Sequence, residues 1–441
     1  MLANLIYLLA LVAVSPLALY RSVRHGRYRR GLGQKLLGLS AKQAERFQQD
    51  INSNDELTWF HAVSVGEVNL LPGLIKHLQS KRDSRLRFVV STSTDTGYDL
   101  AVQHFGKDAA FFCPLDFTWA VKRTLKNLKP KKLVLVELEL WPNLIRSATR
   151  FGCEVNVINA RLSERSGHRY EKFTWITRPL FANLHRVGCQ DSLVLERFAR
   201  CGTPQDRMSI TGSLKFDNAP TTRDTGEVIA CRRWAGAEPT HRIWIVGSTQ
   251  RGEEKMALEV FSQVRSQFPD LRLILVPRHQ ERFDEVASLI ESNQFHAMRR
   301  SKKGSNQSTD WPQDRVILVD TIGELRNWWG TGDIATVGGS FGNRGGQNML
   351  EPAGYGCAVS FGPNTRNFKE IANALIENNG AVRVQNAKEL EDFLLLCLKD
   401  PEQQKGLGQR AKELVNQHRG AIERTAGMLQ LNGTIHQVVS K

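Results

Sequence analysis

Short apolar runs alternate with longer amphipathic stretches along most of the chain. The clearest runs, at 57–63, 86–91, 132–136 and 154–158, have the length of strands and are rich in β-branched or aromatic residues. Stretches of helical length separate them. This alternation is typical of a parallel sheet covered by helices on both faces. The pattern therefore predicts a doubly wound α/β domain over residues 51–217.

The alternation stops between residues 218 and 241, where Pro220, Gly226, Gly236 and Pro239 interrupt it. It resumes with strand-like runs at 243–246, 271–276, 316–319, 334–337 and 358–361. We therefore predict a linker over 218–241, a second doubly wound domain over 242–402 and a helical segment over 403–441. The polar stretch 300–315 is predicted to be a surface loop.

The first 20 residues carry no charge. Twenty helical residues span about 30 Å, the thickness of a bilayer core, so the pattern predicts a transmembrane anchor over residues 1–20. A basic membrane-proximal stretch follows over residues 21–50, whereas a cleaved signal peptide carries its positive charge in front. The positive-inside rule then predicts that the rest of the chain is cytoplasmic. Ser15 and Pro16 interrupt the apolar run, which leaves a buried or interfacial helix as the alternative.

Charge and cysteine content change this picture little. The 441 residues include 60 Lys and Arg against 45 Asp and Glu, a formal charge of +15, which suits nucleic acid, anionic lipid or a phosphorylated substrate about equally. The basic residues are dispersed and not clustered with aromatic residues, which disfavours a non-catalytic module that binds nucleic acid or a membrane. The seven cysteines stand singly, so the sequence predicts reduced thiols without a disulfide framework or a zinc site.

Polar motifs follow several of the predicted strands. In open parallel sheets, ligands bind beyond the carboxyl ends of the strands, so these motifs carry the candidate chemistry. Glu67 ends the motif His61-Ala-Val-Ser-Val-Gly-Glu67 at a predicted helix start after the first strand. Its carboxylate can accept a proton from an attacking hydroxyl, although the helix dipole is expected to keep it ionised and weakly basic. An ordinary first-turn glutamate is the alternative.

An acidic pair and a lysine complete the candidates in the first half. Alternation along an extended chain predicts that Glu137 and Glu139 point to the same side, where they can form a paired acidic site or bind a cation. The chain contains no Asp-x-Asp, so that metal-chelating signature is absent from the sequence. Lys215 can reach a phosphate or a sugar carboxylate as a point charge, with an ordinary solvated lysine as the alternative.

The second half offers a candidate anion site. Arg278 follows a predicted strand and presents a rigid fork suited to phosphate, beside His279, which is either structural or catalytic. Five glycines lie between Gly338 and Gly346, ahead of a predicted short helix, and bare backbone amides at a helix start bind anions. Glu351 in that helix is expected to bond a pair of ribose hydroxyls. No G-x-G-x-x-G follows the first strand, which disfavours a plain NAD enzyme.

Taken together, these motifs resemble the Kdo transferases, which attach 3-deoxy-D-manno-octulosonic acid (Kdo) to a lipid A precursor. The resemblance covers nearly the whole chain. Its motifs are Ser64-Val-Gly-Glu67, Glu137-Leu-Glu-Leu-Trp-Pro-Asn143, Asn159-Ala-Arg-Leu-Ser163, Gly212-Ser-Leu-Lys-Phe-Asp217, Pro277-Arg-His279, the run from Gly338 to Pro352, and Gly362-Pro-Asn-Thr365. The family implies the GT-B architecture, with two Rossmann-like doubly wound domains that face each other across a cleft, with CMP-Kdo as the donor and with no metal or other cofactor.

The resemblance also implies site residues. The family's catalytic base falls on Glu67, and the residues that stabilise the transition state fall on Glu137 and Lys215. The contacts to CMP fall on Pro277, Arg278, Gly323, Glu324, Leu325, Asn348, Met349, Leu350 and Glu351. The family commonly has His before Asn in the glycine-rich run, whereas this chain has Gln347, which keeps a hydrogen-bond donor but loses a titratable group.

The activity implied by the resemblance is transfer of Kdo from CMP-Kdo to a lipid A precursor with inversion, in lipopolysaccharide core biosynthesis. The expected partners are these two substrates and anionic lipids of the inner membrane, without nucleic acid. We expect a single-pass inner-membrane protein whose catalytic domains are cytoplasmic. Two alternatives stay open. One is a GT-B enzyme that uses a UDP-sugar, either a lipid glycosyltransferase or an epimerase, and the other is a non-catalytic protein that binds anionic surfaces.

Overall fold

The computed structural model describes residues 4, 7, 8, 24, 30–48, 56–81, 86–302 and 311–430. The chain forms two compact units. Unit 1 contains Met1–Asn218 and Arg419–Lys441, and unit 2 contains Ala219–His418.

Unit 1 has seven strands and eleven helices within the described part of residues 1–218. The strands are β1 (Glu56–His61), β2 (Leu86–Thr92), β3 (Ala110–Phe112), β4 (Lys132–Val136), β5 (Glu154–Ala160), β6 (Arg186–Cys189) and β7 (Met208–Ile210). The helices are α1 (Leu32–Leu37), α2 (Ala41–Gln48), α3 (Val65–Val68), α4 (Leu71–Lys81), α5 (Asp95–Phe105), α6 (Thr118–Leu128), α7 (Pro142–Arg150), α8 (Glu164–Lys172), α9 (Thr174–Ala182), α10 (Ser192–Cys201) and α11 (Leu214–Asp217).

Unit 2 repeats the scheme. Its strands are β8 (Arg242–Thr249), β9 (Leu271–Pro277), β10 (His296–Arg299), β11 (Arg315–Leu318), β12 (Ile334–Val337), β13 (Ala358–Phe361) and β14 (Ala381–Arg383). Its helices are α12 (Gly226–Ala235), α13 (Glu253–Val264), α14 (Phe283–Ser292), α15 (Leu325–Trp329), α16 (Leu350–Gly354), α17 (Lys369–Glu377), α18 (Ala387–Lys399) and α19 (Pro401–Gln417). The helix α20 (Ala421–Gln430) belongs to unit 1.

Within the described residues, each unit contains one parallel sheet of seven strands. The strand order is β3-β2-β1-β4-β5-β6-β7 in unit 1 and β10-β11-β9-β8-β12-β13-β14 in unit 2. In both orders the first strand of the unit lies near the centre, with later strands added on both sides. This arrangement confirms the prediction of two doubly wound α/β sheets.

Burial on both faces explains why the central strands are almost wholly apolar. Along β4, Leu133 and Leu135 belong to one core cluster, whereas Val134 and Val136 belong to another. Successive side chains of a strand point to opposite faces, so the two clusters lie on the two sides of the sheet. Helices therefore cover both faces of the unit 1 sheet.

Polar side chains and glycines define where several helices begin and end. Asp191 accepts a hydrogen bond from the Val194 amide at 2.8 Å at the start of α10, and Gly202 ends that helix in the left-handed conformation. Asp400 caps α19 in the same way, with Pro401 in its first turn. Caps satisfy amides that have no partner within the helix. These local signals fix the helices that cover the sheets.

Two segments outside the sheets differ from expectation. The predicted linker 218–241 contains α12, and the Arg232 guanidinium donates to the Thr331 carbonyl at 3.3 Å, so this helix packs within unit 2. The predicted helical segment 403–441 is divided, because α19 belongs to unit 2 and α20 to unit 1. Hydrogen bonds and packing that the composition does not reveal therefore draw both segments into the units.

The polar stretch 300–315 is not entirely a surface loop. Trp311 is 2% exposed, and its indole donates to the Arg315 carbonyl at 2.9 Å. Its own carbonyl accepts from the buried Arg272 guanidinium. Residues 303–310 lie outside the described part. The surface-loop prediction is therefore wrong at Trp311, because one large aromatic side chain is enough to anchor a polar segment.

The predicted transmembrane segment 1–20 lies outside the described residues, apart from Asn4, Tyr7 and Leu8. Among the helices in the described ranges, none combines the length and apolar character that crossing a bilayer requires.

Asp217 fixes the start of α20 within unit 1. Its carboxylate accepts hydrogen bonds from the Gly420 amide, at 2.7 Å, and from the Ile422 amide. Because these amides have no partner within the helix, Asp217→Ala is expected to lower stability by about 1–2 kcal/mol. Chemical denaturation measures the loss, with the exposed Asp224→Ala as the control. Equal stability of the two variants would contradict the anchoring role.

Candidate active site

The strand orders place a crevice at one point in each sheet. In unit 1, β1 and β4 are neighbours in the sheet. The connection from β1 leads to β2 on one side, and the connection from β4 leads to β5 on the other side. In unit 2, the same divergence occurs between the neighbours β8 and β12. Ligands of doubly wound sheets bind at this switch point, beyond the carboxyl ends of the two strands. Glu67 and Glu137 follow the two strands in unit 1, and the glycine-rich run follows β12 in unit 2.

Glu67 lies in α3, directly beyond β1. Its side chain is 9% exposed, its Oε2 accepts from the Val63 amide at 2.7 Å, and its Oε1 accepts from the Ser64 hydroxyl at 2.9 Å. Burial raises the pKa of Glu67 to about 7, the two hydrogen bonds lower it, and the charges of Glu139 and Glu137 raise it. A carboxylate whose pKa lies near neutrality is suited to act as a general base.

The expectation that the helix dipole keeps Glu67 weakly basic is therefore wrong. The helix α3 has only four residues, so its dipole is small. Burial in a region that already contains other carboxylates disfavours the charged form more strongly.

Glu137 and Lys215 form an ion pair in unit 1. Lys215 Nζ lies 3.5 Å from Glu137 Oε1, and the two side chains are 26% and 22% exposed. Glu137 follows the last residue of β4 and has a left-handed backbone, with φ 61°. Because the extended conformation stops before Glu137, the alternation used to orient it relative to Glu139 does not apply. The pair stays accessible to solvent and to a substrate.

Glu139 is the third acidic residue of this region. Its Oε2 accepts from the Trp141 indole at 2.9 Å. Burial raises the pKa of Glu139, the indole hydrogen bond lowers it, and the charge of Glu137 raises it. The carboxylates of Glu67, Glu137 and Glu139 thus act on one another electrostatically. Within the described ranges, no group of three or more His, Cys, Asp or Glu residues is arranged to hold a metal ion.

Asn159 lies in β5 beside Glu137 and is fully buried. Its Oδ1 accepts from the Leu214 amide at 3.0 Å, at the start of α11. Its Nδ2 faces Glu137 Oε1 at 3.5 Å. The Gln190 side-chain amide donates to the Asn159 carbonyl at 3.1 Å. Asn159 thereby connects the ends of three elements that surround the ion pair.

Asp116 holds the loop that carries the acidic pair. It is 4% exposed, and its carboxylate accepts from the amides of Asn143 and Leu144 at 2.9 and 2.7 Å, which caps α7. The Asn143 side chain also donates to Asn4 Oδ1 at 3.0 Å, and the same oxygen accepts from the Thr118 amide at 3.1 Å. Burial raises the pKa of Asp116 to about 6. The N-terminal residue Asn4 therefore packs at this end of the unit 1 sheet.

In unit 2, a buried carboxylate occupies part of the glycine-rich run. Glu253 is 4% exposed, and it accepts from the amides of Gly339 at 2.8 Å, Phe341 at 3.1 Å and Gln250 at 2.8 Å. Gly338 is required for this approach, because a Cβ there would lie 2.6 Å from Glu253 Oε2. The expectation that the run offers bare amides to an anion is therefore wrong for Gly339 and Phe341.

Two residues that were predicted to contact CMP, Asn348 and Glu351, contact each other further along the run. Asn348 Nδ2 donates to Glu351 Oε1 at 3.2 Å, and Asn348 Oδ1 accepts from the Leu350 amide at 3.1 Å. Burial raises the pKa of Glu351, whereas the positive charges of Arg326 and Arg278 lower it. Both arginines are exposed. Glu351 and the two arginines therefore form the polar part of the region around the glycine-rich run.

The other implied CMP contacts lie in different surroundings. Pro277, Met349 and Leu350 are buried, so their side chains are not exposed to a ligand. Glu324 accepts two hydrogen bonds from the Arg300 guanidinium, at 2.9 and 3.0 Å, and this contact lowers the pKa of Glu324. The remaining two implied contacts flank Glu324: the exposed Gly323, with φ 87°, and the partly buried Leu325, which begins α15.

Sequence reasoning missed the roles of residues that organise the candidate site within each unit. Asn159 directly follows the run 154–158 that was predicted as a strand and was named only within a family motif, and Asp116 follows a strand too short to recognise. Glu253 begins a helix and reads as an ordinary first-turn glutamate. Arg326 directly follows Leu325, the last of three residues implied by the family, and only its positive charge offered a signal.

The fold and the polar strand ends define the class: a protein of two Rossmann-like α/β units, each with polar residues at its switch point. The UDP-GlcNAc 2-epimerase from Neisseria meningitidis, solved bound to UDP-GlcNAc, has this fold with a TM-score of 0.56. It is 11% identical, and the match covers 85% of this chain and 99% of that chain. At this identity the likeness concerns the fold alone.

The family follows from sequence comparison. A family model described as 3-deoxy-D-manno-octulosonic-acid transferase (kdotransferase) matches residues 39–218. The 3-deoxy-D-manno-octulosonic acid transferase of Haemophilus influenzae is 35% identical over 377 residues, which cover 84% of this chain and 86% of that protein. That of Bordetella pertussis is 32% identical over 381 residues, with the same shares. The chain therefore belongs to the Kdo transferase family.

The raised pKa of Glu67 predicts a pH-dependent effect of Glu67→Gln on stability. The folded-state pKa, about 7, lies above the ordinary value of 4.5, so ionised Glu67 destabilises the fold. This cost is absent below pH 4.5, grows as the pH rises and is complete above pH 7. The melting temperature of Glu67→Gln relative to that of the wild type should therefore be higher at pH 8 than at pH 5. Thermal unfolding at the two pH values measures this difference.

The exposed first-turn glutamate of α12, replaced in Glu227→Gln, provides the matched control. Its melting temperature relative to wild type should be the same at both pH values. If Glu67→Gln behaved like this control, the burial of an ionisable carboxylate at position 67 would be contradicted.

Proposed function

We propose that the chain transfers Kdo from CMP-Kdo to a lipid A precursor with inversion, and that Glu67 is the catalytic base. The observation that carries the proposal is the buried carboxylate of Glu67, with a pKa raised to about 7, at the switch point of unit 1. Membership of the Kdo transferase family supports the choice of sugar and donor.

The step is a single displacement. Glu67 accepts the proton of a sugar hydroxyl on the acceptor, and the hydroxyl oxygen forms a bond to the anomeric carbon of Kdo. The bond between that carbon and the CMP phosphate breaks, and CMP leaves with the electron pair. Attack opposite the leaving group inverts the anomeric carbon. A base whose pKa lies near the working pH accepts this proton most effectively.

Lys215 and Glu137 stabilise the transition state in this proposal. The ammonium of Lys215 is available to the carboxylate of Kdo or to the negative charge that develops on the leaving phosphate. Glu137, 3.5 Å away, fixes the direction of the Lys215 side chain. A positive group held in place before the reaction needs little reorganisation when charge develops.

Unit 2 binds CMP in this proposal, through Pro277, Arg278, Gly323, Glu324, Leu325, Asn348, Met349, Leu350 and Glu351. Arg278 is exposed, and its fork suits the phosphate. Glu351, hydrogen-bonded to Asn348, suits the ribose hydroxyls. We add Arg326, whose charge acts on Glu351 together with that of Arg278. Because Glu253 already accepts hydrogen bonds from the Gly339 and Phe341 amides, these amides do not bind the phosphate in this proposal. The arginine side chains bind it instead.

The proposal assigns no metal and no other cofactor to the reaction, because Lys215 and Arg278 supply positive charge for the carboxylate and the phosphate of the donor. It includes the GT-B assignment of the fold. It also places the protein at the inner membrane, anchored through residues 1–20, with both units in the cytoplasm. The formal charge of +15 and the basic stretch 21–50 support contact with anionic lipids and an anionic acceptor.

The product mass tests the proposed donor and acceptor together. The full chain in detergent micelles is incubated with a lipid A precursor and either CMP-Kdo or UDP-N-acetylglucosamine. We expect the acceptor to gain the mass of one or more Kdo residues with CMP-Kdo and to stay unchanged with the UDP-sugar. An acceptor that gains mass only with the UDP-sugar, or with neither donor, would overturn the proposal.

A further inference from the structure

The register of the unit 1 sheet places Asn159 beside Glu137. Strands β4 and β5 are parallel, with Val136 opposite Ile158, so the next residue on each strand is Glu137 and Asn159. The Glu137 amide donates to the Ile158 carbonyl at 3.0 Å, which extends the pairing to this point. The two residues therefore stand side by side where the strands end.

Both residues have unusual backbone conformations. Glu137 and Asn159 have φ angles of 61° and 51°, in the left-handed region that residues with a Cβ seldom adopt. The pairing of β5 with β6 also shifts between Val157 and Ala160, on either side of Asn159. Such irregularities redirect side chains next to functional sites and need support from their surroundings. Here they aim the Asn159 side chain along the end of the sheet.

The Asn159 amide group joins the two partners of the ion pair. Its Oδ1 accepts the Leu214 amide, directly before Lys215, at the start of a helix of four residues whose Ser213 provides no side-chain cap. Its Nδ2 faces Glu137 Oε1 at 3.5 Å, and the same oxygen lies 3.5 Å from Lys215 Nζ. So short a helix cannot fix its own position, because it has little internal hydrogen bonding.

We propose that Asn159 is a positioning residue that holds Lys215 against Glu137. This inference rests on the proposed function, which gives Lys215 and Glu137 their part in the reaction. Asn159 itself touches neither substrate and acts through the other two side chains. Because Asn159 is fully buried, removal of its side chain takes a hydrogen bond from the buried Leu214 amide, which is costly.

The variant Asn159→Gly tests the positioning role of the side-chain amide while keeping the left-handed backbone conformation at residue 159. Glycine adopts the left-handed conformation without strain and removes the amide group. We expect kcat to fall about tenfold, the effect of one misplaced charged group, while the KM for CMP-Kdo changes less than about twofold. The matched control is Asn156→Gly, a change at another buried asparagine of β5, whose side chain donates to the Glu154 carbonyl at 3.2 Å. The control should leave kcat unchanged.

A double-mutant cycle shows whether Asn159 acts through Lys215. In a Lys215→Met background, Asn159→Gly should lower kcat by less than about twofold, because the group that it positions is already gone. If the two losses multiplied instead, Asn159 would act independently of Lys215 and the inference would be overturned, while Kdo transfer by the wild type would leave the proposed function standing. Absence of Kdo transfer by the wild type would overturn the proposed function.

The reactivity of Lys215 tests the positioning without relying on activity. Mild reductive methylation, followed by peptide mass spectrometry, measures how readily the Lys215 amine reacts. Asn159→Gly should increase the rate at Lys215, because its ion pair is loosened, and Asn156→Gly should not. An unchanged rate at Lys215 in Asn159→Gly would overturn the inference whatever the outcome of the transfer assay.

Discussion

The carboxylate of Glu67 is buried in a region that already holds Glu137 and Glu139, and the proposed chemistry of the site depends on this constraint. Because β1 and β4 are neighbours and parallel, their carboxyl ends bring the residues that follow them together. Burial and like charge both disfavour the ionised form, which gives Glu67 a pKa of about 7. The fold thus places an acid of ordinary sequence context where its pKa suits the proposed role of a base. The destabilisation of the ionised form is the energetic cost of this placement.

The surroundings compensate for this electrostatic strain in specific ways. Two hydrogen bonds limit the rise in the pKa of Glu67, and Lys215 offsets the charge of Glu137. In unit 2, Glu253 is also a buried carboxylate stabilised by hydrogen bonds. It accepts them from backbone amides that a phosphate would otherwise contact. That carboxylate shapes the glycine-rich run, and in the proposed function the exposed Arg278 and Arg326 attract the donor instead. Glutamate is therefore the proposed base in unit 1, whereas in unit 2 it shapes the backbone of the glycine-rich run.

The sequence predicts the long strands and the fold class because burial on both faces makes them apolar without interruption, as in β4 and β9. The short strands β3, β7 and β14 escaped detection, since three residues show no periodicity. For the site, motif position identified Glu67, Glu137 and Lys215 as candidates, whereas their contacts depend on register and on left-handed backbone conformations. The raised pKa of Glu67 was not predictable, because it arises from tertiary burial. The roles of Asn159 and Asp116 were hidden for the same reason.

The pH dependence of kcat/KM for Kdo transfer tests the role of Glu67 most directly. With the acceptor saturating and CMP-Kdo varied, the wild type should lose activity about tenfold per unit of pH below an apparent pKa of about 7, because only the ionised base accepts the proton. Glu67→Gln should lose most activity and show no such inflection, while Glu227→Gln should match the wild type. An unchanged inflection and full activity in Glu67→Gln would contradict the account.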